Sequence, residues 1–302
     1  MKKIKWILYH QPVDIFIRTA QHFEEEVNRL SGNKFEFEIL ELKDYENKYK
    51  NGQPCDLMTE LKNGNIQMSQ VYVFGLAMAN ASDFLALGLP FLFRDHDHAS
   101  RVFEGKVGDQ LLTHLKDTLQ IKGLSFTYSG GYKVMASDTP IKCVDDFKKL
   151  NYHHNSNGLW NDIFQTLGST RMTDGNYNFR QTTLPRYHAD ATSEQVYCTD
   201  TAHSMYLTTI LMNENMWSNF DVDTKEIFKS AAKVVARAER KQSVADAQEI
   251  ASSPTIYNNH GIQDLLYFSE EEQFKLKTKL SPLIDKWKPY FTPGLVDNIL
   301  AH

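Results

Sequence analysis

The sequence predicts an α/β protein built as two units around largely parallel sheet. Three observations carry this. Alternating strand-like segments and helical apolar stripes follow one another through the first 128 residues. The pattern breaks at Ser129-Gly130-Gly131, a combination that marks a crossing point into another unit. A second, smaller strand–helix set then follows before the chain returns. A length of 302 residues is enough for two cores.

The elements follow from periodicity. Residues 4–10 read as a first strand, and Phe16, Ala20, Phe23, Val27 and Leu30 trace one helical face closed by Gly32. Phe35, Phe37 and Ile39 alternate with Glu36 and Glu38 as a second strand. Leu57 and Leu61 start a short helix that stops at Asn63-Gly64, followed by a strand from Ile66 to Phe74. A helix over roughly 97–117 leads into a strand from Leu124 to Tyr128. The second unit has a helix at 144–149, a strand at 151–154 and a helix at 158–167 ending at Gly168. Thr201 to Met212 is the returning strand. Asp223 with Glu226 caps a very long helix running to about Ser252. Ser269 with Glu272 opens a last helix with Phe274, Leu280 and Trp287 on one side.

Composition narrows the function classes. Hydrophobic residues at 41% and charged residues at 24% describe a globular chain, and a net charge of -5 leaves no basic face for nucleic acid. No apolar stretch approaches the roughly 20 residues of a membrane span. Cys55, Cys143 and Cys198 fit neither a disulfide framework nor a zinc site. The eleven histidines include His153-His154 and His188-Ala-Asp190, but neighbours on a strand point to opposite faces, so His153 and His154 cannot share a metal. No metal, cofactor or catalytic residue is expected, since metalloprotease, nucleotide-loop and nucleophile-elbow spacings are all missing. Met1-Lys2-Lys3 suggests a secretory signal, yet Ile4 to Gln11 has no clean apolar core or cleavage site and reads better as a strand.

The most specific stretch is Leu89-Pro-Phe-Leu-Phe-Arg-Asp-His-Asp-His-Ala-Ser-Arg-Val-Phe-Glu-Gly105, completed by Val107-Gly108. Its chemistry is a buried segment, a sharp polar turn and a docked helix. Its residue order resembles a block of the solute-binding proteins of tripartite ATP-independent periplasmic (TRAP) transporters. Further segments resemble that family in the same order: Gly64-Asn-Ile-Gln-Met68, Pro140-Ile-Lys with Asp146-Phe-Lys-Lys-Leu150, Thr201-Ala-His-Ser, and Met212-Asn-Glu-Asn-Met-Trp217.

The resemblance implies a two-lobed periplasmic-binding-protein fold (Venus flytrap) with crossing hinge strands and a long bridging helix. Lobe I would be 1–128 plus 207–247, and lobe II 129–206 plus 248–302. It implies a periplasmic monomer, represented here by a mature chain with an added methionine, that captures a small organic ligand in an interlobe cleft. Closure would present the loaded protein to TRAP membrane permease subunits. A ligand-sensing module reporting to a membrane receptor is the alternative, and an enzyme using His153 and Lys133 the most remote one.

The departures from the family concern the ligand. A family arginine grips a ligand carboxylate with two parallel bonds, and the gap-free match places His153 at that position. A second family arginine falls on Tyr132, with Lys133 adjacent. His153, with an ordinary pKa of about 6.5, is only partly charged near neutrality. The ligand is therefore either an acid held without the arginine clamp or a less acidic molecule. Between Gly168 and Thr201 the chain is shorter than the family, with Asp174-Gly175-Asn176 and Asp190 to Glu194 as alternative remnants of a ligand-contact element. Tyr9, His10, Tyr72, Tyr132, Lys133, His153, Asn155 and His203 are the candidate ligand-binding residues. Tyr72 is read as pocket and Phe74 as core; for Tyr9, His10 and His203 a packing role is an equal alternative.

Overall fold

In this computed structural model, residues 2–153, 158–173, 175, 177–189, 196–259 and 261–302 are described. The chain divides into two units. Met1–Ala81, Ser100–Tyr128 and Leu207–Gln242 form the first; Ser82–Ala99, Ser129–Tyr206 and Ser243–His302 form the second. Two strands, Ile121–Ser137 and Val196–Asn213, and one helix, Val222–Ala251, run from one unit into the other.

In the first unit, strand Lys2–Leu8 pairs in parallel with Phe35–Glu41 on one side and Met68–Tyr72 on the other. Met68–Tyr72 pairs in antiparallel fashion with the returning strand, Met68 opposite Met212. Helix Val13–Ser31 lays Phe16, Ala20, Phe23 and Val27 on this sheet, where they meet Trp6, Phe35 and Phe228. Such aromatics each contribute about 1.5–3 kcal/mol by leaving water. The helix ends at Gly32 in the left-handed region (φ 69), a conformation that costs glycine little.

In the second unit, the short strand Asn151–His153 lies between Thr170–Met172 and Phe179–Thr182, parallel to both. Phe179–Thr182 then pairs in antiparallel fashion with the end of Ile121–Ser137, Val134 opposite Thr182 and Met135 opposite Gln181. Helix Gly158–Leu167 packs Phe164 against Tyr152 and Phe179. Strand Ile262–Tyr267 runs parallel to Val196–Asp200 of the returning strand.

Several elements differ from the sequence reading. The first strand stops at Leu8, so Tyr9 and His10 lie just beyond it. The strand expected over Ile66 to Phe74 is Met68–Tyr72, and Val73–Met78 turns into a helix. The helix expected over 97–117 is two helices, His96–Glu104 and Lys106–Leu119, divided at Gly105. Ser129-Gly130-Gly131 does not end a strand: Ile121–Ser137 passes through it, with Gly130 (φ 88) and Gly131 (φ 74) supplying a local kink that other residues resist. The long helix is capped by Asp221, which accepts from Thr224 N at 2.7 Å, not by Asp223. Ser269 caps the helix Glu270–Leu280, but the Glu272 carboxylate accepts from Val144 N instead of closing a reciprocal box. Phe274 is exposed, because Leu276 and Leu280 form the buried side and Pro282 starts a separate helix.

Segment Ser82–Ala99 belongs to the second unit rather than to a continuous 1–128 lobe. Its polar groups explain why. The buried Asp83 carboxylate accepts from Thr292 N (2.8 Å) and Thr292 Oγ1 (2.6 Å). Phe91 N donates to His203 O at 2.7 Å, and His98 Nε2 lies 2.8 Å from Ile299 O.

Candidate functional site

Two groups of candidate residues emerge, one within each unit. In the first unit, Tyr9 is 48% exposed and meets the His10 ring edge-on at 4.7 Å. His10 Nε2 accepts from Tyr72 N at 3.0 Å. A backbone N–H can only donate, so the His10 ring is neutral here with its proton on Nδ1. Tyr72 stacks on the buried Phe74 ring. Tyr9 and His10 border a cavity of about 420 Å³ beyond the carboxyl ends of Lys2–Leu8 and Phe35–Glu41, the end at which open α/β sheets receive ligands. Deeper in this unit, Gln70 Nε2 donates to Thr127 Oγ1 (2.8 Å) and Thr208 Oγ1 (3.0 Å), a buried polar seam with no obvious sequence signature.

The second unit holds the more unusual chemistry. Lys133 lies in a strand whose next three residues, Val134, Met135 and Ala136, are all buried, and it is itself only 2% exposed. Its ammonium sits 5.0 Å from the centroid of the Trp160 ring, on helix Gly158–Leu167. Burial pushes the amine down to about 7, so charged and neutral forms coexist at neutral pH. His203, 1% exposed, places Nδ1 2.6 Å from Thr201 Oγ1. Burial, reinforced by the Lys133 charge, pushes its imidazole down to about 3 and keeps it neutral.

The second unit also holds several polar atoms without a hydrogen-bond partner among the described residues. Met135 stands opposite Gln181, so strand alternation puts Gln181 on the face that Lys133 and Met135 share. Both atoms of the Gln181 amide are buried without a hydrogen-bond partner among the described residues, as are His203 Nε2, Thr183 Oγ1, Ser204 Oγ and Ser129 Oγ. Each such atom costs about 1–3 kcal/mol when left unpaired. Native interiors rarely accumulate several, and their gathering marks a place suited to a polar guest. The backbone beside them is strained: Ala202 (φ 47) and Phe91 (φ 56) both adopt the left-handed region next to His203.

The structure thus brings Lys133 and His203 together, and His10 with Tyr72. Tyr132 faces the other side of its strand, where its ring lies 4.8 Å from that of His96. His153 is exposed at the end of its strand and meets Tyr177 edge-on at 5.7 Å. Asn155, His154 and the alternative remnants Asp174, Asn176 and Asp190 to Glu194 lie outside the described residues, as does the His188 side chain. Trp160 and Gln181 were not legible as site residues; the one available signal is a lysine followed directly by Val-Met-Ala in a strand. Among the described residues no group of three His, Cys, Asp or Glu could hold a metal, and no helix is long and apolar enough to cross a membrane.

Comparison with known proteins completes the picture. The family described as DctP, bacterial extracellular solute-binding protein family 7, matches residues 9–173 and 183–289. The C4-dicarboxylate-binding protein DctB of Bacillus subtilis is 24% identical over 299 residues, covering 93% of this chain and 81% of the relative. A TRAP periplasmic solute-binding protein of a Polaromonas species, solved with bound D-erythronate, superposes with a TM-score of 0.82 at 18% identity, covering 100% of this chain and 99% of that one. One from Shewanella oneidensis with bound succinate gives 0.80 at 16% identity, covering 99% and 98%. The match across both units, in the fold and in the ordered sequence blocks, makes this chain a member of the DctP family of bacterial extracellular solute-binding proteins.

Proposed function

We propose that this protein captures a small organic acid and delivers it to TRAP permease subunits, with Lys133 as charge partner in place of an arginine clamp. The carrying observation is a buried amine beside a neutral histidine, in a unit where the Gln181 amide and the Thr183 and Ser204 hydroxyls are buried without a hydrogen-bond partner among the described residues. A carboxylate arriving next to Lys133 restores the full ammonium charge, because an adjacent anion favours the protonated form. With Thr201 donating to Nδ1, His203 offers an Nε2–H to the ligand, and the Gln181 amide can both donate and accept. Trp160 supplies an apolar wall. Tyr9, His10 and Tyr72 are proposed contacts from the first unit and His153 and Asn155 from the second, whereas Tyr132, on the other side of its strand, is not among them.

Relatives of the same fold were solved with succinate, D-erythronate and L-gulonate, all small acids, which supports this ligand class. Titration calorimetry with C4-dicarboxylates and sugar acids tests it, with the matching polyols and diamides as neutral controls. Saturable binding of an acid, weakened at least about tenfold in Lys133→Met, is the expected result, in line with about 1.5–3 kcal/mol for a charge-assisted hydrogen bond. Neutral analogues binding as tightly as the acids would overturn the proposal.

A further inference from the structure

The opposite face of the Lys133 strand holds a second cavity of contrary chemistry. It has a volume of about 250 Å³ and lies wholly within the second unit. Its walls include His96, Gly131, Tyr132, Asp200, Val244 and Tyr267. At Gly131 (φ 74) a β-carbon would make ordinary van der Waals contact with His96 Cε1 (3.4 Å) and Val244 Cγ2 (3.5 Å), so His96 and Val244 flank this turn of the strand closely.

The decisive group is Asp200. Its Oδ1 accepts from Ala202 N at 2.8 Å, and among the described residues it makes no ion pair. Burial lifts its carboxyl above the usual carboxylate range, which records the cost of an anion without a cation. The rings share its field. The Tyr132 hydroxyl is pushed up to about 12 by burial and then by the charges of Asp95 and Asp200, and that of Tyr267 rises through burial and Asp200. Burial holds His96 below its ordinary value, so this ring supplies no cation at neutral pH. No lysine or arginine is among the lining residues.

We propose that this cavity is a second ligand site, and that it takes a compact organic cation of the alkylammonium class. Asp200 provides the counter-charge, and Tyr132, Tyr267 and His96 offer aromatic rings, the combination by which proteins recognise ammonium groups. An inorganic divalent ion finds too few ligands here, since no three-residue metal group exists among the described residues. A carboxylate is repelled by Asp200, so this site and the acid-binding group at Lys133 select ligands of opposite sign. The proposal does not depend on what Lys133 binds.

The test is calorimetric titration of the full chain with tetramethylammonium chloride, beside neopentyl alcohol as a neutral molecule of similar shape and potassium chloride as a plain counter-ion. Saturable binding of tetramethylammonium alone is expected. It should weaken at least about tenfold in Asp200→Asn, which removes the counter-charge, and about two- to fivefold in Tyr267→Leu, the scale of a cation–π contact at an exposed ring. Tyr267 is 62% exposed, so its replacement leaves the fold intact and keeps the test decisive if Asp200→Asn misfolds. Wild-type protein that does not saturate with tetramethylammonium, equal affinity for neopentyl alcohol, equally effective potassium, or undiminished binding in both variants would each overturn the proposal.

Discussion

The Lys133 ammonium lies 5.0 Å from the centre of the Trp160 indole, inside a unit whose neighbouring strand carries the buried, neutral His203. A lysine held there is costly to the folded chain and useful to an anion. Replacing it separates the two effects. Lys133→Met keeps an unbranched side chain of similar length and removes the buried amine. We expect the urea midpoint to stay level or rise while organic-acid affinity falls at least about tenfold. A lower midpoint with unchanged affinity would assign Lys133 a purely structural role.

The same lysine sets a pH dependence in two opposite directions. Its folded pKa of about 7 lies below the ordinary value of about 10.4, so between these values the unfolded chain binds more protons. Stability of the ligand-free protein therefore rises with pH across that window. Affinity for an acid falls over the same window, because the bound form requires the ammonium. Denaturation and calorimetry from pH 6.5 to 9.5 (test conditions spanning roughly that window) read both slopes. Flat affinity across the range would remove Lys133 as charge partner.

His203 governs the acid side. Its folded pKa of about 3 lies below the ordinary value of about 6.5, so the unfolded chain takes up the proton first. Stability contributed by the neutral ring is present above about 6.5 and lost as pH falls towards 3. His203→Gln cannot titrate and should show a shallower loss of stability between pH 6.5 and 4 than the parent protein. Superimposable acid limbs would contradict the assignment.

Gly130 tolerates a side chain poorly. At φ 88, an added β-carbon would lie 2.6 Å from Thr183 Oγ1 and 2.8 Å from Pro185 Cδ. Gly130→Ala combines a left-handed backbone with a close contact and should cost about 1–3 kcal/mol. Gly175→Ala, at φ 86 with open space around it, isolates the backbone part of the penalty and should cost less. Urea midpoints of the two variants, with unchanged slopes, provide the comparison; equal losses would show that the contact with Thr183 is relieved without cost.

Much of the architecture was legible because its signals are local. The apolar stripe of Phe16, Ala20, Phe23 and Val27 and the alternation at Phe35, Phe37 and Ile39 repeat within a few residues, and both elements formed, with only Leu30 of the expected stripe left exposed. Boundaries slipped where a neighbour in space overrode the pattern. Glu272 left its own helix start to accept from Val144 N, and the helix pair around Gly105 replaced one continuous helix. Ser82–Ala99 joined the second unit through Asp83–Thr292 and Phe91–His203, pairings between residues far apart in the chain.

The site divides in the same way. Lys133, Tyr132 and His203 could be nominated from their place in family-like segments, whereas Trp160, Gln181 and Asp200 could not. Nothing in the residues around Gln181 announces that its amide is buried without a partner, and nothing around Asp200 announces a carboxylate among aromatic rings with no cation. The sequence by itself determined the α/β class, the leading strands and helices of the first unit, and the family. Only the tertiary structure decided which polar groups lose water and which find partners. Periodicity is a property of neighbouring residues, while the solvation of a side chain is set by whatever distant segments fold over it.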